Sequence, residues 1–141
     1  MTNCEFPKEN ASNEEIKEIL KTTKTIAIVG ISDDPTKASN SVAKYLINTG
    51  YEVIPINPKY EEILGLKCYP DLKSIPVKID MVDVFRKPDV LESVINEAIN
   101  IKPKTIWLQL GLCNNEAAEK ARSHGIKVVM NKCTKIEHMN L

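Results

Sequence analysis

Short unbroken apolar runs alternate along this chain with longer stretches in which apolar residues recur at helical spacing. The first helical stretch covers residues 12–22. Ser12-Asn-Glu-Glu15 has the spacing of a capping box, and Ile16, Ile19 and Leu20 form one apolar stripe. Thr25-Ile-Ala-Ile-Val-Gly30 follows, an apolar run ending at glycine, as expected of a strand buried on both faces. A polar stretch, residues 31–38, leads into a helix that opens at Ser39 or Asn40, turns Val42, Ala43, Leu46 and Ile47 inward, and stops at Gly50.

The second strand is Glu52-Val-Ile-Pro-Ile56, ended by Asn57-Pro58-Lys59. Pro55 has no N–H for a ladder, so one side of this strand is expected to go unpaired there. A short third strand at Leu66–Tyr69 and a small helix at Asp71–Ile75 fit that gap. The fourth strand, Asp80–Phe85, passes through Arg86-Lys87-Pro88 into a helix whose inner face is Val90, Leu91, Val94, Ile95, Ala98 and Ile99. A fifth strand, Thr105–Leu110, precedes a helix capped by Asn114 or Asn115, with small inward residues Ala117, Ala118 and Ala121. The last strand is Lys127–Met130, and a polar tail follows.

Strands alternating with amphipathic helices predict an α/β fold: a Rossmann-like, three-layer α/β/α domain on a mostly parallel sheet, order 3-2-1-4-5-6. Residues 1–23 read as a helical extension packed on a single domain of residues 24–141.

Composition narrows the function. The 141 residues carry 19 basic and 19 acidic side chains, so no global field draws in nucleic acid. No apolar run spans a bilayer, and the start lacks a secretory h-region; a soluble, cytoplasmic protein is expected. Cys4, Cys68, Cys113 and Cys133 form no C-x-x-C pair, and His124 and His138 stand at no finger-like spacing from them, so no metal site is expected.

In an open parallel sheet a ligand binds beyond the carboxyl ends of the strands, where the winding reverses. That places it between the loop 30–39 and the loop 85–88, flanked by Asn57–Lys59 and Gln109–Gly111. Gly30 permits a tight turn and close backbone approach, Ser32 and Ser39 offer hydroxyls, and Lys37 offers charge beside a helix N-terminus. The same residues are equally consistent with a strand that ends at Gly30 and a helix capped by Ser39. Only one glycine of the dinucleotide fingerprint is present. After the second strand a dinucleotide site usually has an acid for the ribose hydroxyls, whereas Asn57-Pro58-Lys59 is neutral and then basic. That favours NADP or coenzyme A over NAD, since a carboxylate there would repel a phosphorylated ribose. Arg86 at the rim is placed to reach a diphosphate or to stand in solvent. Gln109, on an otherwise apolar strand, needs a partner, either ligand or backbone. Asp80 and Asp83 read as strand residues near the sheet's rim.

Taken in order, Val29-Gly30-Ile-Ser32, Lys37-Ala-Ser39, Gly50–Pro58, Tyr69-Pro70, Val82–Arg86, Trp107–Gly111 and Val128–Cys133 resemble the small stand-alone CoA-binding proteins. These are similar to the CoA-binding domain of the succinyl-CoA ligase α-subunit. The resemblance covers residues 22–141. It implies a coenzyme A or acyl-CoA site formed by Gly30, Ile31, Ser32, Lys37, Ser39, Asn57, Pro58, Lys59, Phe85 and Arg86, with Gln109 and Gly111 nearby. Where the family often has Arg-Pro-Ser and Asp-Arg-Cys, this chain has Lys37-Ala38-Ser39 and Asn131-Lys132-Cys133. The first change keeps the charge but loses the bidentate fork.

No nucleophile–base pair or paired carboxylates emerge from the pattern. The expected function is binding of coenzyme A or an acyl-CoA without a reaction of its own. The rivals are an NADP-dependent oxidoreductase domain and an accessory subunit of an acyl-CoA ligase or acyltransferase; an acyl-CoA enzyme partner and a homodimer are both left open by the sequence.

Overall fold

A computed structural model describes residues 7–141. The start of the expected 1–23 extension, with Cys4, lies outside the described residues. Each element follows from the pattern that encodes it. Helix α1, Asn13–Thr22, begins with a full capping box: Ser12 Oγ accepts from the Glu15 N–H, and the Glu15 carboxylate accepts from the Ser12 N–H. Its stripe of Ile16, Ile19 and Leu20 is buried. Strand β1, Thr25–Val29, feeds helix α2, Ala38–Asn48, and strand β2, Glu52–Ile56. After a two-residue hairpin, β3 at Glu62–Ile63 and β4 at Leu66–Lys67, a 3-10 turn at Leu72–Ser74 is capped by the Asp71 carboxylate. Strand β5, Met81–Val84, runs through a second 3-10 turn, Pro88–Val90, into helix α3, Leu91–Asn100. Strand β6, Thr105–Leu108, helix α4, Asn115–Ser123, strand β7, Lys127–Val129, and helix α5, Thr134–Met139, complete the order.

Five parallel strands form one sheet in the order β2-β1-β5-β6-β7. Alternate strand residues face opposite layers. Ala27, Val29, Val82, Val84, Ile106 and Leu108 meet α3 and α4, while Ile26, Ile28, Met81, Trp107 and Val129 meet α1 and α2. This is the expected three-layer Rossmann-like fold. The winding reverses between β1 and β5.

The expected outermost strand at 66–69 is reduced to one parallel bridge, Ile56 to Tyr69. Pro55 is the reason: it offers a carbonyl, taken by the Tyr69 N–H at 3.0 Å, but no donor in return. Tyr69 then accepts from the Asn57 N–H at 2.9 Å and the ladder stops. Residues 66–67 pair instead in an antiparallel hairpin whose turn puts Leu64 and Gly65 at φ 54° and 75°. At the opposite edge the Asn10 amide donates to the Met130 carbonyl at 2.9 Å and accepts from its N–H at 3.0 Å, standing where a strand would.

Two further readings are corrected. Helix α2 opens at Ala38 with Lys37 in the cap position, because Ser39 and Asn40 turn their side chains onto the preceding loop. The polar tail is helix α5. A six-residue helix does not hold itself; this one is fixed by Thr134, fully buried, and by His138, whose Nδ1 lies 2.7 Å from the Tyr45 hydroxyl. The Trp107 indole also donates to the Lys132 carbonyl just before it. Among the described residues no helix is long and apolar enough to cross a membrane.

Candidate functional site

The carboxyl ends of β1, β2 and β5 surround an open cleft of about 430 Å³. Gly30, Asn57, Pro58, Lys59, Phe85 and Arg86 line it, together with Lys87, Asp89 and Val90. Three cations against one carboxylate give it a positive field at the end of the switch point, where phosphates are most readily held.

Its walls are fixed by backbone. Gly30 donates to the Ile56 carbonyl at 3.0 Å, and Phe85 donates to the Val29 carbonyl at 2.8 Å, so three strand ends are stitched together beneath the cleft. Gly30 has φ +84°, and the space a Cβ would need is occupied by the Phe85 carbonyl and the Arg86 side chain. The close approach that demands glycine here is thus made by the β5 exit loop. Asn57 is a clamp as well as a wall: its Nδ2 donates to the Ile31 carbonyl at 2.9 Å and its Oδ1 accepts from the Lys59 N–H at 2.9 Å. That pairing needs an amide, which accounts for the missing carboxylate at the end of β2.

The loop after Gly30 is built from its own polar groups. Ser39 Oγ accepts from the Ser32 N–H at 3.0 Å, the Asn40 amide donates to the Ser32 carbonyl, and Ser32 Oγ accepts from the Asp34 N–H. The N–H and hydroxyl of Thr36 hold the Asp34 carboxyl below its ordinary range. Ser39 is buried and Ile31 sits wholly in the core, so their side chains serve the loop, while Lys37 is exposed beside it.

Gln109 lies elsewhere. Its expected partner was ligand or backbone; the structure gives it two side chains instead. Gln109 Nε2 donates to Asp83 Oδ1 at 2.6 Å and contacts Thr134 Oγ1 at 2.9 Å, and that hydroxyl donates to Asp83 Oδ2 at 3.0 Å. Asp83 is not at the rim but fully buried in β5. Burial pushes its carboxyl up to about 7, against the two donors, which favour the anion. Gly111 donates to the Asn131 side chain and does not line the cleft. Cys133 is a buried free thiol at the start of α5. Among the described residues no cluster of metal-ligating side chains occurs.

Lys87 lies within the loop 85–88 expected at the site but was not named as a contact, and Asp89 and Val90 were missed as cleft residues. Lys87, next to Arg86 in a basic pair before proline, carried a signal that was available. A smaller basin of about 260 Å³ adjoins the cleft behind Arg86 and went unseen, since it is assembled from β2, the Leu72 turn and α3.

Among known proteins, residues 24–139 match the family model of the CoA binding domain. Protein YneT of Bacillus subtilis (strain 168) is 42% identical over 130 residues, 92% of this chain and 96% of that one. Acetate–CoA ligase [ADP-forming] I of Archaeoglobus fulgidus is 28% identical over 120 residues, 78% of this chain but only 18% of the ligase. A hypothetical protein from Pyrococcus horikoshii OT3 has a solved structure that superposes with a TM-score of 0.90 at 43% identity, covering 100% of this chain and 99% of that one.

Proposed function

This chain belongs to the CoA binding domain family, and from that premise we propose that it binds coenzyme A or an acyl-CoA in the cleft between the β2 and β5 ends, without catalysing a reaction by itself. One observation carries the reading. The cleft at the switch point presents Lys59, Arg86 and Lys87 beside an amide, Asn57, where a dinucleotide site has its ribose-binding acid. Phosphates are therefore attracted at the position where NAD would need a carboxylate.

Direct contacts are assigned to Gly30, Asn57, Pro58, Lys59, Phe85 and Arg86, with Lys37 reaching a phosphate from the neighbouring loop. Ile31, Ser32 and Ser39 act by shaping that loop, and Gln109 and Gly111 are given no contact with the ligand. The titratable side chains lining the cleft are Lys59, Arg86, Lys87 and Asp89, a set suited to holding an anion rather than to moving a proton between acid and base. The likeness to an acetate–CoA ligase favours a second reading, in which this domain serves as the CoA-binding part of an acyl-CoA enzyme assembly.

Calorimetric titration with coenzyme A, acetyl-CoA, NADP and NAD tests the proposal. Saturable binding of coenzyme A with weaker binding of both dinucleotides supports it. Tighter binding of NADP would sink it in favour of an oxidoreductase domain. Co-purification with a ligase partner, with no affinity for coenzyme A alone, would favour the second reading.

A further inference from the structure

Helix α5 is seated by polar contacts at its two ends. At the far end the His138 ring stands edge-on to Tyr45 and Tyr51. At the first turn Thr134 closes a ring with Asp83 and Gln109. Gln109 Nε2 donates to Asp83 Oδ1 and to Thr134 Oγ1, and the Thr134 hydroxyl donates to Asp83 Oδ2. Of the helix's residues only Thr134 is buried; its apolar side chains, Ile136 and Met139, are 47% and 62% exposed. An element that buries so little apolar surface opens at low cost compared with the strands beneath it.

Asp83 lies at the centre of this seat. Its neighbours in the sheet are Ile28 of β1 and Trp107 of β6, and α2 turns Val42 and Leu46 toward the same layer. The titratable side chains on and around the helix are Cys133 at its cap, Lys135, Glu137 and His138 on it, and Tyr45 and Tyr51 opposite. Lys135 points away from Asp83, to Ser41 and the Tyr45 ring. Among the described residues no cation pairs with Asp83. Two neutral donors hold a buried carboxylate less well than water does.

We propose that α5 is a proton-controlled latch: it is closed on β5 while Asp83 is protonated, and ionisation of Asp83 undocks it as a unit, hydrating the carboxylate and leaving the five-stranded sheet in place. The proton passes to solvent. With α5 closed the Asp83 carboxyl is raised to about 7 by burial, whereas a hydrated aspartate titrates near about 3.9. Between those values the closed form holds a proton that the open form has lost. Opening therefore becomes easier as pH rises through that window and levels off above it.

Amide hydrogen exchange tests the latch on the intact chain. Glu137 N–H, which donates to the Cys133 carbonyl at 2.9 Å, reports on α5, and Phe85 N–H, which donates to the Val29 carbonyl at 2.8 Å, reports on the sheet. With the intrinsic pH dependence of exchange removed, Glu137 protection is expected to fall at least about tenfold from pH 5 to pH 7. Phe85 should stay the better protected at every pH. Asp83→Asn should abolish the fall, and His138→Gln should keep it. Protection of Glu137 that does not change with pH in the wild type overturns the proposal, whether or not Asp83→Asn folds. So does a fall that persists in Asp83→Asn or vanishes in His138→Gln. Equal protection of Glu137 and Phe85 throughout would mean that α5 opens only with the whole fold, which overturns it as well.

Discussion

The α-carbon of Gly30 lies against the backbone carbonyl of Phe85, leaving no room for a methyl group between the end of β1 and the end of β5. The contact closes the floor of the cleft from below. A side chain at residue 30 would have to displace backbone, since the obstacle is a carbonyl held by its own strand, and it would do so at φ +84°.

Gly30→Ala is accordingly expected to destabilise the fold by about 3 kcal/mol, from overpacking together with left-handed strain. Coenzyme A binding should weaken with it, because Phe85 and Arg86 must move. Urea unfolding followed by tryptophan fluorescence reads the first effect. A variant as stable as the wild type would show that the β5 exit loop yields freely.

Arg86→Ala should cost coenzyme A affinity by roughly 10–100-fold, the usual range for one charge-assisted contact to a phosphate. Titration with dephospho-CoA tells which phosphate is involved. A smaller loss for dephospho-CoA puts Arg86 on the 3′-phosphate, and an equal loss puts it on the diphosphate. No loss for either ligand contradicts the assignment. Lys37→Ala is read in the same way.

Asn57→Asp removes the donor to the Ile31 carbonyl and sets a negative charge at the cleft wall. A loss of about 1–3 kcal/mol in stability is expected from the unpaired carbonyl, with weaker coenzyme A binding and no gain for NAD. A gain for NAD would mean that the residue at the end of β2 alone selects the ligand.

Asp83 makes stability depend on pH in the direction opposite to most carboxylates. Its folded value is raised to about 7, chiefly by burial, while an unfolded aspartate titrates near about 3.9. Between those values the native state holds a proton that the unfolded state has lost, so stability falls as pH rises through the window. Relative to Asp83→Asn, the wild type should lose about 2–4 kcal/mol between pH 5 and pH 8. Denaturation midpoints for both proteins at the two pH values give the difference, and a constant offset would place the ionised form comfortably inside the protein.

Much of this fold is legible because its signals are local. Ser12 and Glu15 are three apart, Asn114 caps the turn that follows it, and the runs 25–29 and 105–108 name their strands by apolar content. What escaped reading depends on residues far apart in the chain. Helix α5 has no apolar stripe to announce it; it is held by Thr134 on Asp83 and by His138 on Tyr45, 51 and 93 residues away. Gln109 called for a partner, but nothing near it in sequence names Asp83. The Leu64-Gly65 turn places a leucine in left-handed backbone, where turn chemistry would look for asparagine or glycine. The site divides in the same way. Lys59 and Arg86 were visible as basic residues after strands, whereas the basin holding Asp71 and Glu97 exists only once the Leu72 turn is laid on α3.

Both margins of the sheet are blunted, one by Pro55 with Tyr69 and the other by the amide of Asn10. An incoming strand would find a missing donor at one side and a side chain already in its place at the other. Addition of a further strand through backbone ladders is thereby discouraged at both positions. An assembly of this protein would accordingly rest on side-chain surfaces rather than on extension of the sheet.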